Sequence, residues 1–137
     1  MLAKSASNKN STELLLQYCK DIDDWPHRWK FDEIDVAIGQ AINHYFKLLL
    51  LDKIEKGRAR KTVRVTSDYL WALGGELIRQ INYDETERKL SAKELILKHV
   101  DDEGGPYWRH ASSELDHDQY DSVCGQLFRF ITKNKVN

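Results

Sequence analysis

The sequence contains few of the residues that interrupt helices, with only 7 glycines and 2 prolines among its 137 residues. Folds built from many short strands need turn residues at frequent intervals, so this scarcity favours helices. The chain also has only two cysteines, Cys19 and Cys124, and both fall within apolar helical stripes. We therefore expect buried free thiols in a reducing compartment rather than a disulfide framework.

Long apolar runs and strong net charge are missing as well. The most apolar stretch is interrupted by Asn43, His44, Lys47 and Asp52, so it does not predict a membrane span. No apolar segment typical of a secretory signal starts the sequence, and a cytoplasmic location is expected by elimination. The net charge is −1, but residues 1–65 have a balance of +3 (12 Lys and Arg against 9 Asp and Glu) and residues 66–137 a balance of −4 (9 against 13). This asymmetry suits charge-complementary contacts within the chain or between two chains.

The longest uninterrupted helical pattern runs from Asp32 to Lys56. Asp32 is the expected cap of its first turn, and Gly57 the expected left-handed residue after its last. Two apolar stripes follow helical spacing, the first with Ile34, Ile38, Ala41, Ile42, Tyr45 and Leu49, the second with Ala37, Ala41, Leu48 and Leu51. Because the four consecutive leucines point in every direction, this helix should be buried on several sides. Its neighbours are other helices or a second copy, and the candidate self-association residues are Leu48, Leu50 and Leu51.

Four further helices are predicted around this central one. They begin near Ser11 or Thr12, at Thr66 or Ser67, at Ser91, and at Asp118 or Gln119, and end near Ile22, Tyr83, Val100 and Lys133. Ser91 and Glu94 form a capping box. Gly74 and Gly75 within one helix indicate close approach by another helix backbone, with Gly39 as the matching position. The sequence thus predicts an all-α, single-domain bundle of about five helices over residues 11–137, preceded by a flexible N-terminus, residues 1–10.

Two connecting segments are unusually aromatic. Trp25, Arg28 and Trp29 lie between the first two predicted helices, and Tyr107 and Trp108 lie before the last. We predict that these five residues form an interaction surface for a base, a sugar or a partner peptide. The alternative is that they fold back as a satellite of the hydrophobic core, with Arg28 stacked on a tryptophan.

The segment from residue 56 to residue 64 carries the strongest charge signal. Its cations are Lys56, Arg58, Arg60, Lys61 and Arg64. Val63 and Val65 alternate with polar residues, so a loop with a short extended piece is expected. Five cations in nine residues could neutralise several phosphates of a nucleic acid. The alternative is a solvated loop paired with the acidic second half of the chain.

No catalytic pattern emerges. His110, Asp116, His117, Asp118 and Asp121 are close in sequence, but their spacing is not that of a known metal motif. We assign no catalytic residue, no cofactor and no metal ligand. The leading hypothesis is a small intracellular, non-catalytic interaction or regulatory protein that forms a homodimer. A nucleic-acid-binding protein using residues 56–64 is the alternative, and a metal-dependent enzyme is the third hypothesis.

Overall fold

The computed structural model describes residues 11–134, and this part of the chain is all-α, as predicted. Residues 11–18 form α1. The other helices are α2 (Trp25–Trp29), α3 (Asp35–Glu55), α4 (Arg60–Tyr83), α5 (Ala92–His99) and α6 (Glu114–Asn134), with 3-10 segments at Ile22–Asp24 and Glu85–Lys89. Within residues 11–134 the one β feature is an isolated bridge between Asp101 and Gly104. The N-terminus predicted to be flexible, residues 1–10, lies outside the described residues.

The long helix α3 is central, because α2, α4, α5 and α6 all pack against it. Only part of its first apolar stripe enters the core: Ile42 is fully buried and Leu49 only 4% exposed, whereas Ile34 and Ala41 are exposed. Helix α3 starts at Asp35 rather than at Asp32, because the carboxylate of Asp35 accepts hydrogen bonds from the amides of Phe31 and Asp32. Those bonds hold the preceding residues in a turn. At the other end Gly57 is left-handed, with φ 79°, as predicted.

The leucine run of α3 divides between the core and the surface. Leu50 is fully buried inside the chain, so the structure removes it from the candidate self-association residues. Leu48 and Leu51 are half-buried and lie on the outward face of α3 together with the exposed Ala37 and Ala41. The second predicted stripe is therefore the side of α3 that the rest of the described chain covers only in part.

Helix α2 replaces a predicted loop. A proline often marks the end of a helix, but Pro26 occupies the first turn of α2, where its missing N–H costs nothing. Trp25 and Trp29 are each only 4% exposed. Both tryptophans are thus core residues, which corrects their assignment to an exposed surface.

Of the three glycines predicted to allow close helix packing, Gly39 and Gly74 are closely approached by α2. A Cβ on Gly39 would lie 3.1 Å from Cβ of Pro26, and one on Gly74 would lie 2.1 Å from Cζ2 of Trp29. A Cβ on Gly75 would meet its nearest neighbour, Trp29, at 3.8 Å, an ordinary contact. The close approach in this fold is therefore between an indole ring and the backbone of α4.

Helix α4 begins at Arg60, six residues before the earliest predicted start, so Arg60, Lys61 and Arg64 are helical and not in a loop. Val63 is fully buried and Thr66 is buried one turn later, so the helical stripe continues towards the N-terminus. The hydroxyl of Thr66 donates to the carbonyl of Thr62 at 2.9 Å, as a hydroxyl inside a helix does.

The remaining elements close the bundle. The capping box of Ser91 and Glu94 is present at the start of α5, as predicted. Helix α6 starts four residues earlier than expected and buries Tyr120 and Leu127. Cys19 and Cys124 are buried and free, and burial raises the pKa of each thiol. None of the helices within residues 11–134 is long and apolar enough to cross a membrane.

Candidate functional site

A groove crosses the outward face of α4, and the fold builds it from both predicted aromatic segments. Its centre is formed by Trp71, Gly75, Glu76, Arg79 and Tyr83 of α4. One wall carries Arg28, Trp29 and Phe31, and the opposite wall carries Tyr107, Trp108, Arg109 and His110. Two cavities of about 400 and 680 Å³ make up this aromatic groove, and both are lined by Phe31, Glu76 and Arg79.

The first wall is anchored by Trp29. Its indole N–H donates to the carbonyl of Trp71 at 3.0 Å, and the two rings stack with centroids 6.0 Å apart. Trp25 lies 6.1 Å from Trp71 on the inner side. Trp71 remains 40% exposed on this buried support, and the neighbouring Phe31 is 60% exposed. The wall therefore presents aromatic surface on a rigid base.

The opposite wall is held by α6. Trp108 packs edge-on against Tyr69, and its backbone N–H donates to Nε2 of His117 at 3.3 Å. Because Nε2 accepts this hydrogen bond, Nδ1 of His117 is the ring nitrogen that donates to Asp121, at 3.1 Å. Tyr120 donates to the carbonyl of Pro106 at 2.9 Å. These bonds hold the segment before α6 in one position.

The hydroxyl of Tyr69 strengthens this support. It donates to the carboxylate of Asp116 at 2.6 Å. Burial, and then the hydrogen bond to Asp116, raise the pKa of Tyr69 to about 12. The same hydrogen bond, with those from Ser112, lowers the pKa of Asp116. Tyr69 is thus a neutral donor and Asp116 an anionic acceptor across the physiological range.

Charged groups lie at the floor and rim of the groove. The side chain of Glu76 is only 9% exposed, and its carboxylate is 3.6 Å from Nε of Arg79. The guanidinium of Arg79 lies 5.9 Å from the centre of the Phe31 ring. Arg109 is exposed and makes no ion pair or hydrogen bond with another residue of 11–134. The arginines of the groove, Arg28 included, therefore outnumber its carboxylates, Asp68 and Glu76.

The structure distributes the predicted interaction residues unequally. Arg28 and Tyr107 are exposed in the groove, and Trp108 is half-buried in its wall. Trp29 is a nearly buried part of the other wall, and Trp25 lies beneath the groove. Sequence reasoning missed Phe31, Tyr83, Arg79 and Arg109. One signal was available, because Trp71, Gly75 and Arg79 recur at four-residue spacing and share one helix face.

A second surface gathers cations at one end of the bundle. It is formed where α3 and α6 end and α4 begins, and two clefts of about 270 and 330 Å³ lie there. We call this surface the basic end, and its cations are Lys53, Lys56, Arg58, Lys61, Arg129 and Lys133. Burial, and then repulsion from Arg58, lowers the pKa of Lys53. Cations that are distant in sequence are thus brought together in space.

The predicted basic segment is divided by the start of α4. Lys56, Arg58 and Lys61 belong to the basic end. Arg60 and Arg64 face a separate cleft of about 490 Å³, where the guanidinium of Arg60 lies 5.4 Å from the centre of the Tyr18 ring. Sequence reasoning missed Arg129 and Lys133, because both lie at least 65 residues beyond the basic segment along the chain.

Two buried carboxylates fix the fold. Oδ1 of Asp35 pairs with Arg88 at 2.8 Å, while its other oxygen accepts from Asn82 at 3.0 Å. Glu87 contacts Nε2 of His99 at 2.5 Å and Nζ of Lys98 at 3.1 Å. Because both oxygens of each carboxylate are engaged by neighbouring elements, these residues join the helices and have no oxygen free for a substrate.

The cluster of histidines and aspartates near α6 is not assembled for metal binding. Within the described part of the chain, no group of three or more His, Cys, Asp or Glu side chains could hold a metal ion. No protein-family model, curated protein or solved structure matches this chain. Function is therefore inferred from the aromatic groove and the basic end.

Proposed function

We propose that this chain is a non-catalytic interaction protein that binds a segment of a partner protein in the aromatic groove. The observation that carries the proposal is the exposure of four aromatic side chains around one depression. Phe31 is 60%, Trp71 40%, Tyr83 88% and Tyr107 75% exposed. Exposed apolar surface concentrated at one place is typical of an interaction site, whereas scattered exposed residues are ordinary.

The residue types of the groove support a protein ligand. Tryptophan, tyrosine and arginine are the residues that most often dominate binding energy at protein interfaces. Here all three types occur together in the groove, at Trp71, Tyr107 and Arg109. The stacking of Trp71 on Trp29 leaves little side-chain freedom to lose on binding. The groove is thus suited to receive an apolar anchor of the partner.

The charges of the groove favour an acidic partner. Arg28, Arg79 and Arg109 line it, and Arg28 is the one that already pairs at short distance, with Asp24 at 3.0 Å. Arginine binds carboxylates through two parallel hydrogen bonds. The proposed ligand is therefore a short segment with Asp or Glu next to an aromatic or large aliphatic side chain.

A display library of random peptides, selected against the whole chain, tests this proposal. Selected peptides should be enriched in Asp and Glu beside an aromatic or aliphatic residue. The variant Gly75→Gln should weaken their binding at least about tenfold, equivalent to about 1.4 kcal/mol, because the added side chain would fill the groove. Tyr107→Ser should also weaken binding through loss of an exposed anchor.

The matched control is Leu115→Ser, since Leu115 is 67% exposed and does not line the groove. Its affinity for the selected peptides should equal that of the unmodified chain. Selected peptides without acidic enrichment would contradict an acidic ligand. Affinities unchanged by Gly75→Gln and Tyr107→Ser would show that the groove is not the binding site.

We also propose that the chain forms a homodimer through the outward face of α3. This face carries Ala37, Ala41, His44, Leu48 and Leu51 at helical spacing. None of these residues carries a fixed charge, so two identical faces can meet around a two-fold axis without repulsion.

A cytoplasmic location is part of the proposal, and it is supported by the two buried cysteines that remain free.

A further inference from the structure

The basic end has few counter-charges. Asp52 is the one carboxylate among the described residues that line its two clefts, and it pairs with Lys56 at 3.0 Å. Arg129 pairs with Asp102. The side chains of Arg58, Lys61 and Lys133 make no ion pair or hydrogen bond with another residue of 11–134. These three cations therefore do not stabilise the bundle through a defined partner.

Helix electrostatics explain only part of this charge. Cations near the C-terminal end of a helix complement its dipole, which accounts for Lys53 of α3 and Lys133 of α6. Helix α4 is different, because its first turn contains no acidic residue and Ala59 provides no side-chain cap. Arg60 and Lys61 stand at this positive end, where cations are unfavourable. Natural proteins break such local rules of helix stability at functional sites or strained sites.

We propose that the basic end binds the phosphate backbone of a nucleic-acid duplex. Phosphate groups would supply the counter-charges that Arg58, Lys61 and Lys133 lack. Contacts of this kind come from cations and are independent of base sequence. The net charge of −1 does not oppose local binding, because the cations are concentrated at one end of the bundle.

The surroundings of the basic end favour a duplex over other polyanions. Stable attachment to a membrane surface combines basic residues with apolar side chains that insert between lipids. Val65 is the one exposed large hydrophobic residue, among those described, that lines the two clefts. Single strands are usually held by exposed aromatic rings that stack on bases, and the exposed aromatic rings of this chain lie in the aromatic groove.

Fluorescence anisotropy with labelled DNA and RNA duplexes of equal length and sequence, at several salt concentrations, tests this proposal. If four cations engage, log K should fall with log salt at a slope of roughly −3.6, at about −0.9 for each neutralised phosphate. The double variant Arg58→Ala, Lys61→Ala should flatten that slope by roughly 1.8 on the same rule. Lys133→Ala alone should flatten the slope by roughly 0.9. This effect is expected only because the packing of α6 brings Lys133 next to Arg58.

The matched control is the double variant Lys89→Ala, Lys93→Ala, which removes equal charge outside the two clefts. It should leave the slope unchanged. The proposal would be overturned if neither the DNA duplex nor the RNA duplex bound at low salt. It would also be overturned if the salt dependence of log K were the same in the Arg58→Ala, Lys61→Ala variant as in the unmodified chain. Binding to anionic lipid vesicles or single strands but not to duplexes would also overturn it. Gly75→Gln should leave duplex binding unchanged, so this test and that of the groove are independent.

Discussion

The indole ring of Trp29 occupies the space that a side chain on Gly74 would need. A Cβ at position 74 would lie 2.1 Å from Cζ2 and 2.4 Å from Cε2 of that ring. Trp29 cannot move aside freely, because it is buried and its N–H is bonded to the carbonyl of Trp71. The glycine therefore determines how closely α2 approaches α4.

This relationship predicts opposite effects at two adjacent glycines. Gly74→Ala should destabilise the fold by about 1–3 kcal/mol, because it overpacks the core. Gly75→Ala should stabilise it by up to about 1 kcal/mol, because alanine is the better helix former and its methyl group meets only an ordinary contact. Urea unfolding of both variants measures the difference, and a stabilising Gly74→Ala would contradict the position of Trp29.

The core of α3 gives a second prediction. Leu49→Ala should lower the free energy of unfolding by about 2–5 kcal/mol, as expected for a buried leucine. Leu48→Ala, next to it in sequence but half-buried, should cost clearly less. Equal losses in thermal or urea unfolding would mean that the helix is rotated relative to the arrangement described above.

A third prediction concerns acid stability through Glu87. Burial raises the pKa of this carboxyl, but hydrogen bonds from His99, Lys98 and Gln80 outweigh that effect, so its pKa falls below the ordinary 4.5. A group with a lowered pKa in the folded state stabilises the protein above its unfolded pKa. That stabilisation is lost as the pH falls through the folded value.

The free energy of unfolding should therefore be steady above about pH 5 and should decline below the ordinary pKa of 4.5. Glu87→Gln should lower stability at neutral pH and reduce the decline in acid. The Glu87→Gln variant should still lose some stability in acid, because the pKa of Asp35 is also lowered in the folded state. Parallel curves for the variant and the parent between pH 7 and pH 3 would exclude this role of Glu87.

The fourth prediction is the homodimer. Light scattering after size-exclusion chromatography should give a mass near twice the 16.0 kDa of one chain. Ala41→Glu should shift the mass to that of a monomer, because it places a charge on the outward face of α3. Leu115→Glu, at an exposed position on α6, serves as the control and should remain dimeric. A strict monomer at high concentration would exclude self-association.

Features fixed by nearby residues could be predicted from the sequence. The capping box at Ser91 and the left-handed Gly57 depend on a few adjacent positions, and both are present. The role of Pro26 was harder to predict, because a proline can follow the end of one helix or stand in the first turn of the next. The choice depends on packing Trp25 and Trp29 against α3 and α4, which the local sequence does not encode.

The candidate sites were only partly predictable for the same reason. The aromatic composition of the groove was visible in two separate segments, but its centre on α4 depends on how those segments fold over that helix. The alternation of Val63 and Val65 with polar residues suggested an extended piece, whereas burial of Val63 with Thr66 follows a helical spacing in which one core position is polar. Lys133 and Arg58 share a cleft only after α6 has packed.

The tryptophans of this chain also provide an intrinsic optical reporter. Trp25, Trp29 and Trp71 form a triplet with ring centroids 5.9–6.1 Å apart, and Trp108 stands in the facing wall. All four tryptophans of the sequence thus lie in or beneath the groove, and the basic end has none. The wavelength of maximum tryptophan emission and the near-ultraviolet circular dichroism should therefore change when a peptide binds in the groove and should not change when a duplex binds. Unlabelled protein can thus reveal which surface is occupied.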